Sequence, residues 1–114
     1  MGAAFGTITE MLTKMEPDEV SPNVDSGNPI TFFCELAKTD QLETGVWRCT
    51  EGGWTIASFS VDEVMVILSG RVRLTASDGT VNELAKGDMF FVPKGWSGRW
   101  DTLEEMEKAY VIVY

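Results

Sequence analysis

Histidine is absent from this sequence of 114 residues. Because imidazole is the commonest metal ligand and the usual general base near neutral pH, its absence excludes much familiar metalloenzyme and acid–base chemistry. Basic side chains are also scarce, with 9 Lys and Arg against 18 Asp and Glu and a net charge of -9. A chain of this charge repels phosphate backbones and anionic lipid surfaces, so we expect neither nucleic acid nor a membrane as a partner.

Cysteine is limited to Cys34 and Cys49, too few for a secreted scaffold held together by disulfides. No cationic start followed by an apolar run indicates a signal peptide, and no apolar stretch approaches membrane-spanning length. We therefore expect a cytoplasmic protein whose two cysteines are buried and unreactive. Its length is that of one domain, and its 44% of hydrophobic residues is ordinary for a globular fold.

The first 29 residues differ from the rest, and we predict that residues 1–29 form a short helix and an extended arm. Thr7 and Glu10 have the spacing of a capping box. Four apolar residues then recur at helical intervals before the first proline: Ile8, Met11, Leu12 and Met15. Three prolines among polar residues in 16–29 are typical of an extended surface segment.

Residues 30–114 contain short apolar runs that alternate with turn residues at regular spacing. This pattern predicts an all-β fold, an antiparallel sandwich or barrel. The strands are predicted near residues 30–36, 46–50, 54–59, 63–68, 71–76, 80–84, 89–93, 97–102 and 108–114. Asp78 and Gly79 stand between two alternating runs and are residue types that tolerate positive φ, so a tight hairpin is predicted there.

Two segments of the chain resemble the two motifs of the cupin superfamily. The first, 63–70, has a Glu and a Gly separated by six residues, and the second, 87–95, has Gly, five residues, Pro, one residue and Gly. Over roughly residues 31–114 the chain is similar to the small single-domain cupins related to ureidoglycine aminohydrolase. Further matching segments are Gly45-Val46-Trp47, Gly98-Arg99-Trp100, and Glu104 with Lys108. The resemblance implies an RmlC-like cupin jelly-roll barrel.

The resemblance also implies where a metal would bind. Metal-binding cupins carry two histidines ahead of the motif glutamate and a third after the second motif, and these positions are Ala57, Phe59 and Gly98 here. Only Glu63 remains. One carboxylate cannot hold a transition metal, because such sites need three or four convergent ligands. We therefore predict neither a metal nor another cofactor.

Strand alternation places Glu63 and Met65 on one face, together with Ala57, Phe59 and Ile67. The cupin resemblance implies that this face points inward. Glu63 has two interpretations: a general base or an anchor for a cationic or hydroxyl-bearing ligand, or a buried carboxylate satisfied by Lys108, Arg99 or backbone amides. Because buried charges are normally paired, the second is slightly favoured.

Trp100 has the parity of the missing third histidine, so it is either a stacking wall for a flat or sugar-like ligand or a core-filling aromatic. Trp47 and Trp54 are expected to pack. Lys108 and Tyr110 share one face of the last strand, and Lys108 is expected to be held charged by Glu63 or Glu104. The predicted ligand-binding residues are Glu63, Trp100, Phe59, Met65, Lys108 and Tyr110.

Three functions are compatible with these features. The favoured one is a metal-free cupin that binds a small polar metabolite in the mouth of the barrel. The second is a metal-independent lyase, isomerase or hydrolase that uses Glu63 with Lys108 or Tyr110. The third is a structural or regulatory dimer with a filled barrel. We expect a homodimer in each case, because the N-terminal helix carries an apolar stripe with no obvious place on its own subunit.

Overall fold

The computed structural model describes residues 2–114 as a curled, nearly all-β fold, with 59% of residues in strands and 4% in helix. This confirms the predicted cupin jelly roll with a short N-terminal helix. The elements in chain order are α1 (Ile8–Met11), β1 (Glu16–Pro17), β2 (Val24–Gly27), β3 (Thr31–Lys38), β4 (Leu42–Cys49), β5 (Gly52–Ile56), β6 (Asp62–Ala76), β7 (Val81–Ala85), β8 (Met89–Val92) and β9 (Gly98–Val113).

Two long strands, β6 and β9, pair with each other and organise the sheet. The first part of β9 pairs with β5 and its second part with β4, whereas β6 pairs with β8 near its start and with β7 near its end, all antiparallel. The sheet curls around a core of buried side chains: Cys49, Met65, Ile67, Val72, Leu74, Leu84, Val92, Trp100 and Met106.

The long strands differ from the prediction of separate strands at 63–68 and 71–76 and at 97–102 and 108–114. Ser69 and Gly70 do not form a turn; they lie inside β6, where the register with β9 shifts and Gly70 has a φ of 76°. A Cβ at Gly70 would collide with the Glu105 carbonyl oxygen. Glycine here therefore permits a bulge and a close strand approach instead of a chain reversal.

The hairpin predicted at Asp78-Gly79 is confirmed between β6 and β7. Gly79 has a φ of 94°, and the Thr80 amide donates to the Asp78 carboxylate at 2.9 Å. This hydrogen bond lowers the pKa of Asp78. The turn is therefore stabilised by the residue chemistry that identified it in the sequence.

The N-terminal segment packs on its own barrel. Met11 of α1 is buried, the Leu12 carbonyl accepts a hydrogen bond from Arg48 at 3.2 Å, β1 pairs with β3, and β2 pairs with β5. Thr7 makes no side-chain cap hydrogen bond, so the predicted capping box is wrong. The arm has a place on its own subunit, so an unplaced apolar stripe on the N-terminal helix is no longer a reason to expect a homodimer.

Among residues 2–114, no helix has the length and apolar character needed to cross a membrane.

Candidate functional site

A cavity of about 400 Å³ lies inside the curled sheet. All six residues predicted to bind a ligand line it: Glu63, Trp100, Phe59, Met65, Lys108 and Tyr110. The alternation of β6 and β9 brings five of them together, since Met65 is the register partner of Tyr110 and Ile67 that of Lys108. Phe59 lies in the segment between β5 and β6. Their role in binding stays a prediction, but their convergence on one cavity is a property of the fold.

Glu63 and Lys108 form an ion pair at this cavity, with 2.6 Å between Oε2 and Nζ and side-chain exposures of 5% and 8%. The other predicted partners are engaged elsewhere: Arg99 contacts Asp25 and Asp101, and Glu104 contacts Arg71. Glu63 is therefore a buried, paired carboxylate, the second of its two interpretations. Both members of the pair also line the cavity.

Two tryptophans lie against the ammonium group of Lys108, and a third is stacked on one of them. The Lys108 Nζ lies 4.4 Å from the centroid of the Trp47 ring and 4.9 Å from that of Trp100. Trp100 meets Trp47 edge to face at 5.6 Å and is stacked on Trp54 at 5.9 Å with an interplanar angle of 15°. Cation–π attraction and aromatic packing thus stabilise Lys108 and fix the cavity wall.

A buried hydrogen-bond chain holds Trp100 in place. Its Nε1 donates to Thr102 Oγ1 at 2.9 Å, and that hydroxyl lies 3.3 Å from Cys49 Sγ. Burial raises the pKa of the Cys49 thiol, against the opposing effects of Thr102 and Lys108. Cys49 is buried as predicted, but Cys34 is only partly buried.

Acidic side chains stand at the outer part of the cavity. Tyr110 donates to Glu43 at 2.7 Å, Tyr114 donates to the other oxygen of Glu43 at 3.2 Å, and Trp47 Nε1 donates to Asp18 at 3.1 Å. Burial raises the pKa of Tyr110, and so do its hydrogen bond to Glu43 and the negative charges of Glu43, Glu35 and Asp18. Tyr110 is therefore a neutral hydroxyl committed to a carboxylate.

Sequence reasoning missed several cavity residues: Asp18, Phe33, Glu35, Lys38, Glu43, Ile56 and Trp96. It also assigned Trp47 and Trp54 to packing alone, although both line the cavity. The signal that could have found them is cross-strand pairing, since Trp54 opposes Trp100 and Trp47 opposes Lys108. Neither pairing can be deduced until the strands are assigned to the correct neighbours.

The residues at the cupin metal positions do not fit a metal. Ala57 is exposed rather than inward, because it follows Trp54 and Ile56 of β5, which line the cavity, and so has the opposite parity. The alternation of β6 does not extend back to it. A Cβ at Gly98 would collide with the Thr75 carbonyl oxygen and approach the Trp96 ring. Within residues 2–114, no group of three or more His, Cys, Asp or Glu side chains is placed to hold a metal ion. Glu63, the one metal-ligand position that is retained, is engaged by Lys108.

The curled, nearly all-β sheet matches the jelly-roll fold of the cupins. The chain belongs to the EutQ-like cupin domain family, which matches residues 36–110. No curated protein matches the sequence.

Solved structures share this fold. A protein of unknown function from Pseudomonas syringae is similar over 87% of this chain, with 24% identity and a TM-score of 0.81; the chain spans 44% of that protein's length. A Rhizobium leguminosarum protein of unknown function is 23% identical over 99% of this chain and 98% of its own, with a TM-score of 0.70. The Clostridium difficile EutQ protein is 20% identical over 90% and 82% of the two chains, with a TM-score of 0.68.

Proposed function

We propose that this cupin domain binds a small organic metabolite in its barrel cavity and does so without a metal. The observation that carries the proposal is the cavity of about 400 Å³, a size within the usual range for small-molecule sites. Its walls are aromatic and it contains one buried ion pair, Glu63–Lys108. A few polar groups among apolar walls are the usual composition of a ligand pocket.

The metal-free part of the proposal rests on side-chain chemistry. Of the cupin motif positions, only Glu63 carries a ligating group, and its carboxylate is hydrogen-bonded to Lys108 at 2.6 Å. In this proposal, the resemblance to cupins related to ureidoglycine aminohydrolase is therefore used for the fold and not for the activity. A metal-dependent activity of that kind would need ligands that this cavity lacks among residues 2–114.

The two alternative functions are less well supported. A filled barrel does not agree with the cavity that Phe59, Met65 and Trp100 line. Acid–base catalysis would require Glu63, Lys108 or Tyr110 to exchange protons with a substrate, yet each is already hydrogen-bonded to another side chain. Binding needs no such release, so it is favoured over catalysis.

A ligand screen tests the proposal. Thermal shift and intrinsic tryptophan fluorescence are measured with amines, ureides, sugars and flat aromatic compounds, because four tryptophans line the cavity. We expect the Trp54→Leu variant to lose the binding of compounds that raise the melting temperature of the wild type. The Phe5→Leu variant, which removes an exposed aromatic side chain outside the cavity, should still bind them. A protein that responds to no compound contradicts the proposal. One equivalent of a transition metal in untagged protein purified without chelators would contradict its metal-free part.

We also propose that two copies of the chain associate through an outer apolar patch, made of Val64, Met89, Phe91, Val111 and Val113. These side chains are 36–71% exposed. Val64 is the register partner of both Phe91 and Val111, so the patch runs across three adjacent strands. The neighbouring part of the same face, on β4, is already covered by the N-terminal segment through Arg48 and Leu12.

A second copy suits this patch because the patch is uncharged while the chain carries -9. A twofold arrangement would bury the apolar strands and keep the acidic surfaces apart. We expect light scattering to give about twice 12.6 kDa for the wild type and for Val81→Asp, and the monomer mass for Val64→Asp. Val81 is a matched control, since it is 53% exposed and lies on β7 outside the patch. A monomeric wild type, or a Val64→Asp dimer, contradicts this proposal.

A further inference from the structure

The charges that line the cavity do not balance. The acidic side chains are Asp18, Glu35, Glu43 and Glu63, and the basic ones are Lys38 and Lys108. Lys108 forms an ion pair with Glu63, and the Nζ atom of Lys38 lies 3.8 Å from the Glu43 carboxylate. Two carboxylates, those of Asp18 and Glu35, therefore leave the cavity with a net negative charge at its outer part.

The electrostatic effect of these carboxylates reaches the cavity at Tyr110. The pKa of the Tyr110 hydroxyl, which lines the cavity, is raised by burial and by its hydrogen bond to Glu43, and also by the charges of Glu43, Glu35 and Asp18. A negative potential that opposes ionisation of a phenol at this place also repels any anionic ligand. It attracts a cation by the same interaction.

The aromatic walls of the cavity also favour a cationic ligand over an anionic one. The faces of Trp47 and Trp100 lie against the ammonium of Lys108, an arrangement that cation–π attraction favours. Trp54, stacked on Trp100, and Phe59 continue the wall along the cavity. A flat or apolar ligand body can pack on this wall while its charged group stays near the carboxylates.

We infer that the ligand is an organic cation, an ammonium or amidinium group on a flat or apolar body, with the cation toward Asp18 and Glu35 and the body along Trp54 and Phe59. This inference rests on the proposed binding function and names the class of its ligand. It differs from recognition of a carboxylate through Lys108, which would have to compete with Glu63 for the same ammonium.

Matched ligands that differ only in charge test the inference. Tryptamine, tryptophol and indole-3-acetate share one indole body, as benzylamine, benzyl alcohol and benzoate share one phenyl ring; calorimetry measures their dissociation constants. We expect the amine to bind most tightly and the carboxylate most weakly in each set. Raising the ionic strength from about 0.02 M to about 0.5 M should weaken amine binding and leave alcohol binding unchanged.

Two variants locate the effect. Glu35→Gln should weaken amine binding roughly two- to fivefold, the size of an exposed charge contact, and leave alcohol binding unchanged. Glu105→Gln makes the same change in net charge at an exposed position outside the cavity, and should alter neither. If alcohols or carboxylates bind as tightly as amines, or if the two variants behave alike, the inference is wrong while the binding function stands. If neither these sets nor the wider screen gives binding, the proposed function itself fails.

Discussion

The Lys108 ammonium lies 2.6 Å from the Glu63 carboxylate in a site where both side chains are more than nine-tenths buried. Neither group can recover hydration if its partner is removed, so the two are stable only as a pair. The faces of Trp47 and Trp100 provide the ammonium with a weaker second source of attraction.

Replacing Glu63 by Gln should therefore destabilise the fold. We expect a loss of about 3 kcal/mol in the free energy of unfolding, the lower end for a broken buried pair, because the indole faces still attract the cation. Urea denaturation measures the loss. Glu104→Gln, which breaks the exposed contact to Arg71, should cost less than about 1 kcal/mol. The double variant Glu63→Leu/Lys108→Met should recover most of the stability; equal stabilities for Glu63→Gln and Glu104→Gln would contradict this account.

The bulge in β6 gives a second test. Gly70→Ala should cost about 3 kcal/mol, because the methyl group adds a collision with the Glu105 carbonyl to the strain of positive φ. Gly79→Ala is the matched control: its φ of 94° is also positive, but no atom lies within 4 Å of the added carbon. Its cost should be that of the backbone strain alone, about 1–2 kcal/mol. Chemical denaturation that ranks the two variants in the opposite order would show that the strand approach at Gly70 is not tight.

Tyr110 makes stability depend on alkaline pH. Its pKa in the folded protein is raised above the ordinary value of 10.0, so the folded state holds the phenolic proton more tightly than the unfolded state. The stabilisation is complete below about pH 10 and is lost as the pH rises through the folded-state pKa, by about 1.4 kcal/mol per pH unit. Tyr110→Phe should remove this part of the slope above pH 10. Identical pH profiles of unfolding for wild type and variant would contradict the assignment, whatever the lysines contribute to both.

The fold was largely predictable because its signals are local. Turn residues at regular spacing indicated many short strands, and Asp78-Gly79 identified its hairpin through the positive φ that the turn requires. The same logic failed at Gly70, since a residue that permits positive φ serves a bulge as well as a turn. Distinguishing the two requires the partner strand, which lies some 35 residues away in the sequence at Glu105.

Most of the predicted site lies on the stretches of β6 and β9 where the alternation is unbroken, and Phe59, which lies between β5 and β6, lines the cavity as well. The paired parts of β6 and β9 both keep the two-residue alternation of a strand, so they bring four predicted residues to one face: Glu63, Met65, Lys108 and Tyr110. The alternation of β6 does not extend back to Ala57, which lies beyond the end of β5. Trp47 and Trp54 were assigned to packing since tryptophan is buried on average, but burial does not distinguish a core residue from a cavity wall.

The N-terminal helix docks on its own barrel, an arrangement that the sequence did not indicate. Met11 is 8% exposed and Ile8 44% exposed, although both belong to the same four-residue helix. Met11→Ala should therefore cost about 2 kcal/mol of stability, the low end for truncating a buried methionine, while Ile8→Ala should cost less than about 0.5 kcal/mol. Because the contact is within one subunit, the loss at Met11 should be the same in denaturation series at about 1 µM and about 100 µM protein. If the helix instead packed on a second copy, the destabilisation by Met11→Ala would change with protein concentration, since the contact would then form only in the dimer.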